Sequence, residues 1–174
     1  MIRVFKTAAA GLIAFAAMTG LATGQERVAA KKDWSVFVAG SGGNKVCWIV
    51  TQPTKSEAFK GGKPVQVRRG DIFLMVSARK ADGAKNEVSF LSGYPFKGGS
   101  KVKIRVGSKN FNLFTDGENA WTTSAGQDND LTSAFRRGAR AQVEGLSARG
   151  TTTKDTFSLS GFTAALKDAQ KRCK

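Results

Sequence analysis

The sequence predicts a mostly β protein, an antiparallel β-sandwich with two short helices, the second of them at the C-terminus. Three observations predict it. Short β-branched and aromatic runs recur between glycine-bearing turns. Residues 101–106 alternate cation and aliphatic without a break, which is the period of a strand. Phe162, Ala165, Leu166, Ala169 and Cys173 recur at helical spacing and close the chain on an amphipathic helix. A closed barrel is the rival architecture, because strand count alone does not separate the two.

The first residues carry the pattern of an export signal peptide. Arg3 and Lys6 precede an apolar run over 8–18, and residues 19–24 turn small and polar. Ala22-Thr23-Gly24 fits the small-x-small cleavage rule, which places the cut after Gly24. The run is shorter than the roughly 20 residues of a membrane span, and no cysteine follows it for lipidation. Residues 25–174 are then a single domain with no transmembrane segment. At that size a domain buries about 68–70% of its unfolded surface. Arg3 and Lys6 leave with the signal peptide, so the formal charge drops by two from +15 to +13.

The elements follow in order. Residues 25–33 are polar and basic and read as a loose leader, and 34–38 as the first strand. Ser41 to Asn44 is a glycine turn. In the strand over 45–52, Val46, Trp48 and Val50 share one face and Cys47 and Ile49 the other. Pro53 and Pro64 bracket a polar loop, and 65–69 reads as a short edge strand. Residues 72–79 are a near-continuous apolar run, a strand covered on both sides. Asp82-Gly83 turns the chain into a partner strand over 87–91, and Pro95 then breaks the ladder. After 101–106, Gly107-Ser108 is a hairpin turn into 109–115, with Phe111, Leu113 and Thr115 inward. Residues 116–119 turn again into 120–123. Asp130 is the expected N-cap of a two-turn helix ending at Gly138. Strands over 141–146 and 156–159 precede the closing helix.

Cys47 and Cys173 are the chain's two cysteines. In an exported protein they are expected to form one disulfide; two buried free thiols are the alternative. There is no histidine. That removes Ser-His-Asp and Cys-His nucleophile arrangements, and with only two cysteines it leaves no usual zinc ligand set. Ser147 with Lys154, Asp128 with Asp130, and Asp116 with Glu118 have no spacing that demands catalysis. Carboxylates of the latter kind are ordinary in turns. The expectation is a non-enzymatic protein with no cofactor and no metal.

The basic balance points to acidic partners. For an exported chain these are not cytosolic nucleic acid. They are phosphorylated lipid A and its core sugars, other envelope components, or polyanions of a host surface; a protein partner is a separate expectation. Strand periodicity puts Lys101, Lys103 and Arg105 on one face, a row suited to phosphates or carboxylates. Arg68, Arg69, Lys97 and Lys109 are close in sequence and are expected to extend it. The competing explanation is an edge strand guarded by its lysines. Trp34, Trp48 and Trp121 are expected in the core; exposed, one would mark a sugar or lipid platform.

A series of residues carries a resemblance. Trp34, Cys47-Trp48, Gly93-Tyr-Pro-Phe96, Phe111-x-Leu-Phe114, Ala120-Trp121, Gly138, Gly145-x-Ser-x-x-Gly150, Asp155-x-Phe-x-Leu-x-Gly-Phe162-x-x-Ala165 and Cys173 run in order along the mature chain. Together they resemble the invasion-associated locus B family of small exported proteins of Gram-negative bacteria. The resemblance implies a β-rich periplasmic, outer-membrane-associated or secreted protein, some of whose relatives are linked to virulence through entry into host cells. It implies no catalytic residues.

Overall fold

A computed structural model describes residues 24–79, 81 and 83–174. The expected signal peptide therefore lies outside the described residues except for Gly24, as does Asp82 of the expected turn. The strands are β1 (Glu26–Lys31), β2 (Trp34–Ala39), β3 (Val46–Thr51), β4 (Lys55–Lys60), β5 (Lys63–Pro64), β6 (Phe73–Arg79), β7 (Glu87–Leu91), β8 (Lys101–Val106), β9 (Lys109–Asp116), β10 (Asn119–Trp121), β11 (Arg140–Leu146) and β12 (Thr152–Ser158). The helices are α1 (Ala125–Arg137) and α2 (Phe162–Arg172).

The mostly β, antiparallel architecture with a C-terminal helix is as the sequence predicts. Its layers belong to one hydrogen-bonded sheet, in the order β1-β2-β3-β6-β7-β10-β9-β8-β11-β12-β4-β5. The sheet rolls over on itself. Phe90 of β7 and Phe157 of β12 have four strands between them in that order, yet their rings meet edge to face at 6.1 Å. One seam is tied by Trp34 Nε1, which donates to the Ser158 carbonyl at 3.1 Å. The Thr54 amide donates to the Thr156 carbonyl at 2.7 Å, where the chain crosses from β3 to β4.

The inner face holds the core. Alternate residues of β3, β6, β7 and β8 are buried, among them Ile49, Leu74, Val76, Phe90, Val102 and Ile104. Helix α2 lays Phe162, Ala165, Leu166 and Ala169 on this core. Phe162 sits edge-on to both Trp34 (5.0 Å) and Phe135 of α1 (5.3 Å). Geometry of this kind adds about 0.5–1.5 kcal/mol per pair beyond area burial. Cys173 at the end of α2 is bonded to Cys47 of β3, with Cα atoms 5.9 Å apart.

Five elements differ from expectation. The leader over 25–33 is strand β1, paired with β2 through a two-residue turn in which Lys32 has φ 54°. Its residues, none of them fully buried, lack the apolar period that marks a strand. The loop between Pro53 and Pro64 is the hairpin β4–β5. Gly61-Gly62, both at positive φ, make its turn, and that dipeptide is the signal a sequence reading can use. Residues 65–69, expected as an edge strand, are outside regular structure. Helix α1 starts after Ser124, not Asp130. Ser124 Oγ accepts the Gln127 amide at 3.2 Å, and Gln127 Oε1 reaches back to the Thr123 amide at 2.8 Å. Strand β12 starts at Thr152, four residues early, because it carries a buried Asp155 that breaks the apolar pattern. Gly138 closes α1 with φ −87°, not left-handed; a Cβ there would meet Val106 Cγ1 at 2.4 Å, so close packing is its reason.

Candidate functional site

Strand β8 presents its two faces as the alternation demands. Val102, Ile104 and Val106 are buried, and Lys101, Lys103 and Arg105 are exposed on the outer face. The strand is not an edge. It pairs with β9 on one side and β11 on the other, so edge protection does not account for its cations. Across the outer face Lys101 lies opposite Phe114, Lys103 opposite Asn112 and Arg105 opposite Asn110. On the β11 side Arg105 Nε donates to Gln142 Oε1 at 3.1 Å. Glu144 lies opposite Lys103 but bridges to Lys154 of β12 at 3.6 Å. The row thus faces neutral side chains toward β9 and a mixed-charge surface toward β11.

The cations near in sequence do not all join it. Lys109 shares the inward-facing parity of Phe111 and Leu113 on β9, opposite to the row. Lys97 is exposed in the β7–β8 connection, where its amide donates to the Leu146 carbonyl. Arg68 is exposed on the rim of a separate cleft of about 500 Å³, together with Arg149, which sequence reasoning missed. Arg69 is no surface residue. Its guanidinium donates to both carboxylate oxygens of Asp155, at 2.7 and 2.8 Å, and to the Ser92 carbonyl at 3.0 and 2.8 Å. It also covers the Tyr94 ring at 5.0 Å. Burial pushes the Tyr94 phenol above its ordinary value, while the Thr153 hydroxyl, 2.6 Å away, works against that shift.

Of the groups weighed as catalytic pairs, Ser147, Lys154 and Asp128 are engaged elsewhere. Ser147 Oγ accepts the Thr151 amide at 3.0 Å, while Lys154 pairs with Glu144. Asp128 is buried and accepts from the Val88 amide at 2.8 Å and the Thr122 hydroxyl at 2.6 Å; Asp130 is exposed.

Of the three tryptophans only Trp34 is in the core. Trp48 stacks on Phe37 at 5.5 Å on the outer face, and Trp121 leans on Phe114 at 5.7 Å. Both are half-buried. Phe114, at 44% exposure, is one of two exposed large hydrophobic residues among those described. The core expectation thus fails for Trp48 and Trp121: Trp121 is the register partner of Phe114 on the outer face, and Leu113 takes the inner position on β9.

The family profile described as Invasion associated locus B (IalB) protein matches residues 34–170. The chain belongs to the invasion associated locus B family. No curated protein matches the sequence. Several motifs that carry the family resemblance meet in space around Arg69. Tyr94 and Phe96 lie against Gly145, where a Cβ would come within 2.8 Å of the Phe96 ring and of the Tyr94 hydroxyl. Ser147 pairs with Phe96 in an isolated bridge, and Asp155 holds Arg69. In this member of the invasion associated locus B family, these residues knit the β7–β8 connection onto the β11–β12 hairpin. Among the described residues no helix is long and apolar enough to cross a membrane.

Proposed function

We propose that this member of the invasion associated locus B family is an exported, non-enzymatic binding protein of the bacterial envelope or cell exterior. It acts as an accessory factor that recognises anionic surfaces through the outer face of β8. The observation that carries the reading is the row of Lys101, Lys103 and Arg105, all exposed on an interior strand where no edge needs guarding. Successive side chains on one face of a strand lie about 7 Å apart, so phosphates or carboxylates along a chain meet the row without a pocket. Family membership and the net positive charge support the same reading.

The test is retention of the mature protein on immobilised lipopolysaccharide or heparin across a salt gradient. Changing all three residues to Gln lowers the eluting salt while stability stays within about 1 kcal/mol, since exposed charges contribute little to folding. Elution of parent and triple variant at the same salt rejects the reading. Binding that persists unchanged at high salt points instead to an apolar protein interface, since screened charges cannot sustain it.

A further inference from the structure

We propose that the cleft walled by Phe114 and Trp121 holds a sugar ring, so that the anionic ligand of the β8 face is a glycan. This rests on the β8 reading and gives its ligand a chemical class. The cleft holds about 600 Å³ and runs from the two aromatic rings to the start of α1 and residues 83–87. Pockets that hold small ligands span about 300–1,000 Å³ and combine apolar walls with a few placed polar groups.

The two walls differ in chemistry. One is the Phe114–Trp121 pair, its rings inclined by 31°. Phe114 is 44% exposed, an apolar surface facing solvent beside a strand of cations. The other wall carries amides, hydroxyls and two carboxylates that are already engaged, Glu87 by Arg79 and Asp128 by the Val88 amide and the Thr122 hydroxyl. Asn86 Nδ2 donates to Asn129 Oδ1 at 2.7 Å, and Asn86 Oδ1 accepts from Gln170 Nε2 at 2.7 Å. Asn129 is thereby oriented with its own amide hydrogens left for a ligand, and the Thr123 hydroxyl lies on the same rim. A pyranose has this pattern: an apolar C–H face that lies on an aromatic ring, and hydroxyls around its edge that need hydrogen-bond partners.

Charge completes the site. Lys101, exposed on the outer face, is the register partner of Phe114 and so stands on the strand next to the aromatic wall, and Lys85 lines the far side. A sulfate, phosphate or carboxylate on the sugar meets these cations while the ring lies on the aromatics. A lipid acyl chain fits less well, because it would cover the amide hydrogens of Asn129 without offering them a partner.

The experiment is calorimetric titration of the mature protein with a heparin hexasaccharide, with polyphosphate of matched charge, and with phosphatidylglycerol vesicles. The variants are Trp121→Ala, Trp121→Phe, Phe114→Ala and the triple Gln variant of β8. The parent is expected to bind the hexasaccharide more tightly than polyphosphate. Trp121→Ala and Phe114→Ala each weaken the hexasaccharide at least about tenfold, leave polyphosphate affinity unchanged, and so report an intact fold. Trp121→Phe retains the sugar affinity, and the triple variant loses both ligands. Equal affinity of the parent for both ligands, or equal losses for both in the alanine variants, overturns the glycan while leaving the β8 reading intact. Aromatic dependence seen only with vesicles overturns it in favour of a membrane surface. Failure of the parent to bind any of the three removes both readings together.

Discussion

Arg69 and Asp155, 86 residues apart in sequence, form a two-pronged ion pair with side chains 7% and 0% exposed. Arg69 enters from the irregular segment before β6, and Asp155 points inward from β12. The pair is therefore a clasp between the two halves of the rolled sheet.

Removing one partner of such a pair leaves a buried charge without compensation. Asp155→Ala or Arg69→Met is expected to cost about 3–5 kcal/mol. The double change Arg69→Met with Asp155→Leu should recover most of the loss, because neither charge then remains. Urea midpoints of the two single variants and the double variant decide this; a double variant as unstable as the worse single would show that the hydrogen bonds to Ser92 matter more than the charge.

The Cys47–Cys173 bond closes a loop of 126 residues and ties α2 to β3. Chain entropy alone predicts about 4–5 kcal/mol for a loop of that length. Cys47→Ser with Cys173→Ser, or reduction under mild denaturant, should lower the melting temperature and release α2 first. Hydrogen exchange over 162–172 against that over β8 measures it; uniform loss of protection would show that the bond secures the whole roll.

Gly161 precedes α2 with φ +90°, and a Cβ there would lie 1.9 Å from the Lys31 carbonyl oxygen. That neighbour is backbone and cannot swing aside. Gly161→Ala should therefore destabilise far more than Gly150→Ala, at φ +77° in open space, where the cost is conformational only, about 1 kcal/mol. Thermal melting of the two variants side by side gives the comparison.

Asp168 on α2 bridges Arg172 at 2.7 Å and Lys31 of β1 at 3.3 Å. The Arg172 hydrogen bond, ahead of the Lys31 contact, holds its carboxyl below the usual value against opposing desolvation. A lowered folded value means the contribution is complete above the unfolded pKa of about 3.9. It is lost as pH falls through the folded value. Asp168→Asn should thus flatten the acid limb of the stability curve below about pH 4 and leave its slope above pH 6 unchanged. Denaturant midpoints across that range provide the check.

Much of this protein was determined by local pattern. Strands β7 and β8 and the span of α2 can be read directly, because each buries one face and keeps a clean period. The exposure of Lys101, Lys103 and Arg105 follows from parity once the strand is recognised. The pairing of the two cysteines follows from their number once export is expected. Strands β1 and β4 were hidden, because what holds them is backbone hydrogen bonding to β2 and β12, which no side-chain period announces. Only the tertiary roll could decide the rest. It made β8 an interior strand, took Arg69 from the expected basic surface into a buried pair with Asp155, and set Trp121 beside Phe114 on the outside. These outcomes depend on which strand lies next to which and on where the sheet turns over. Contacts between residues tens of positions apart set both, and a charge's neighbours in space are not its neighbours in sequence.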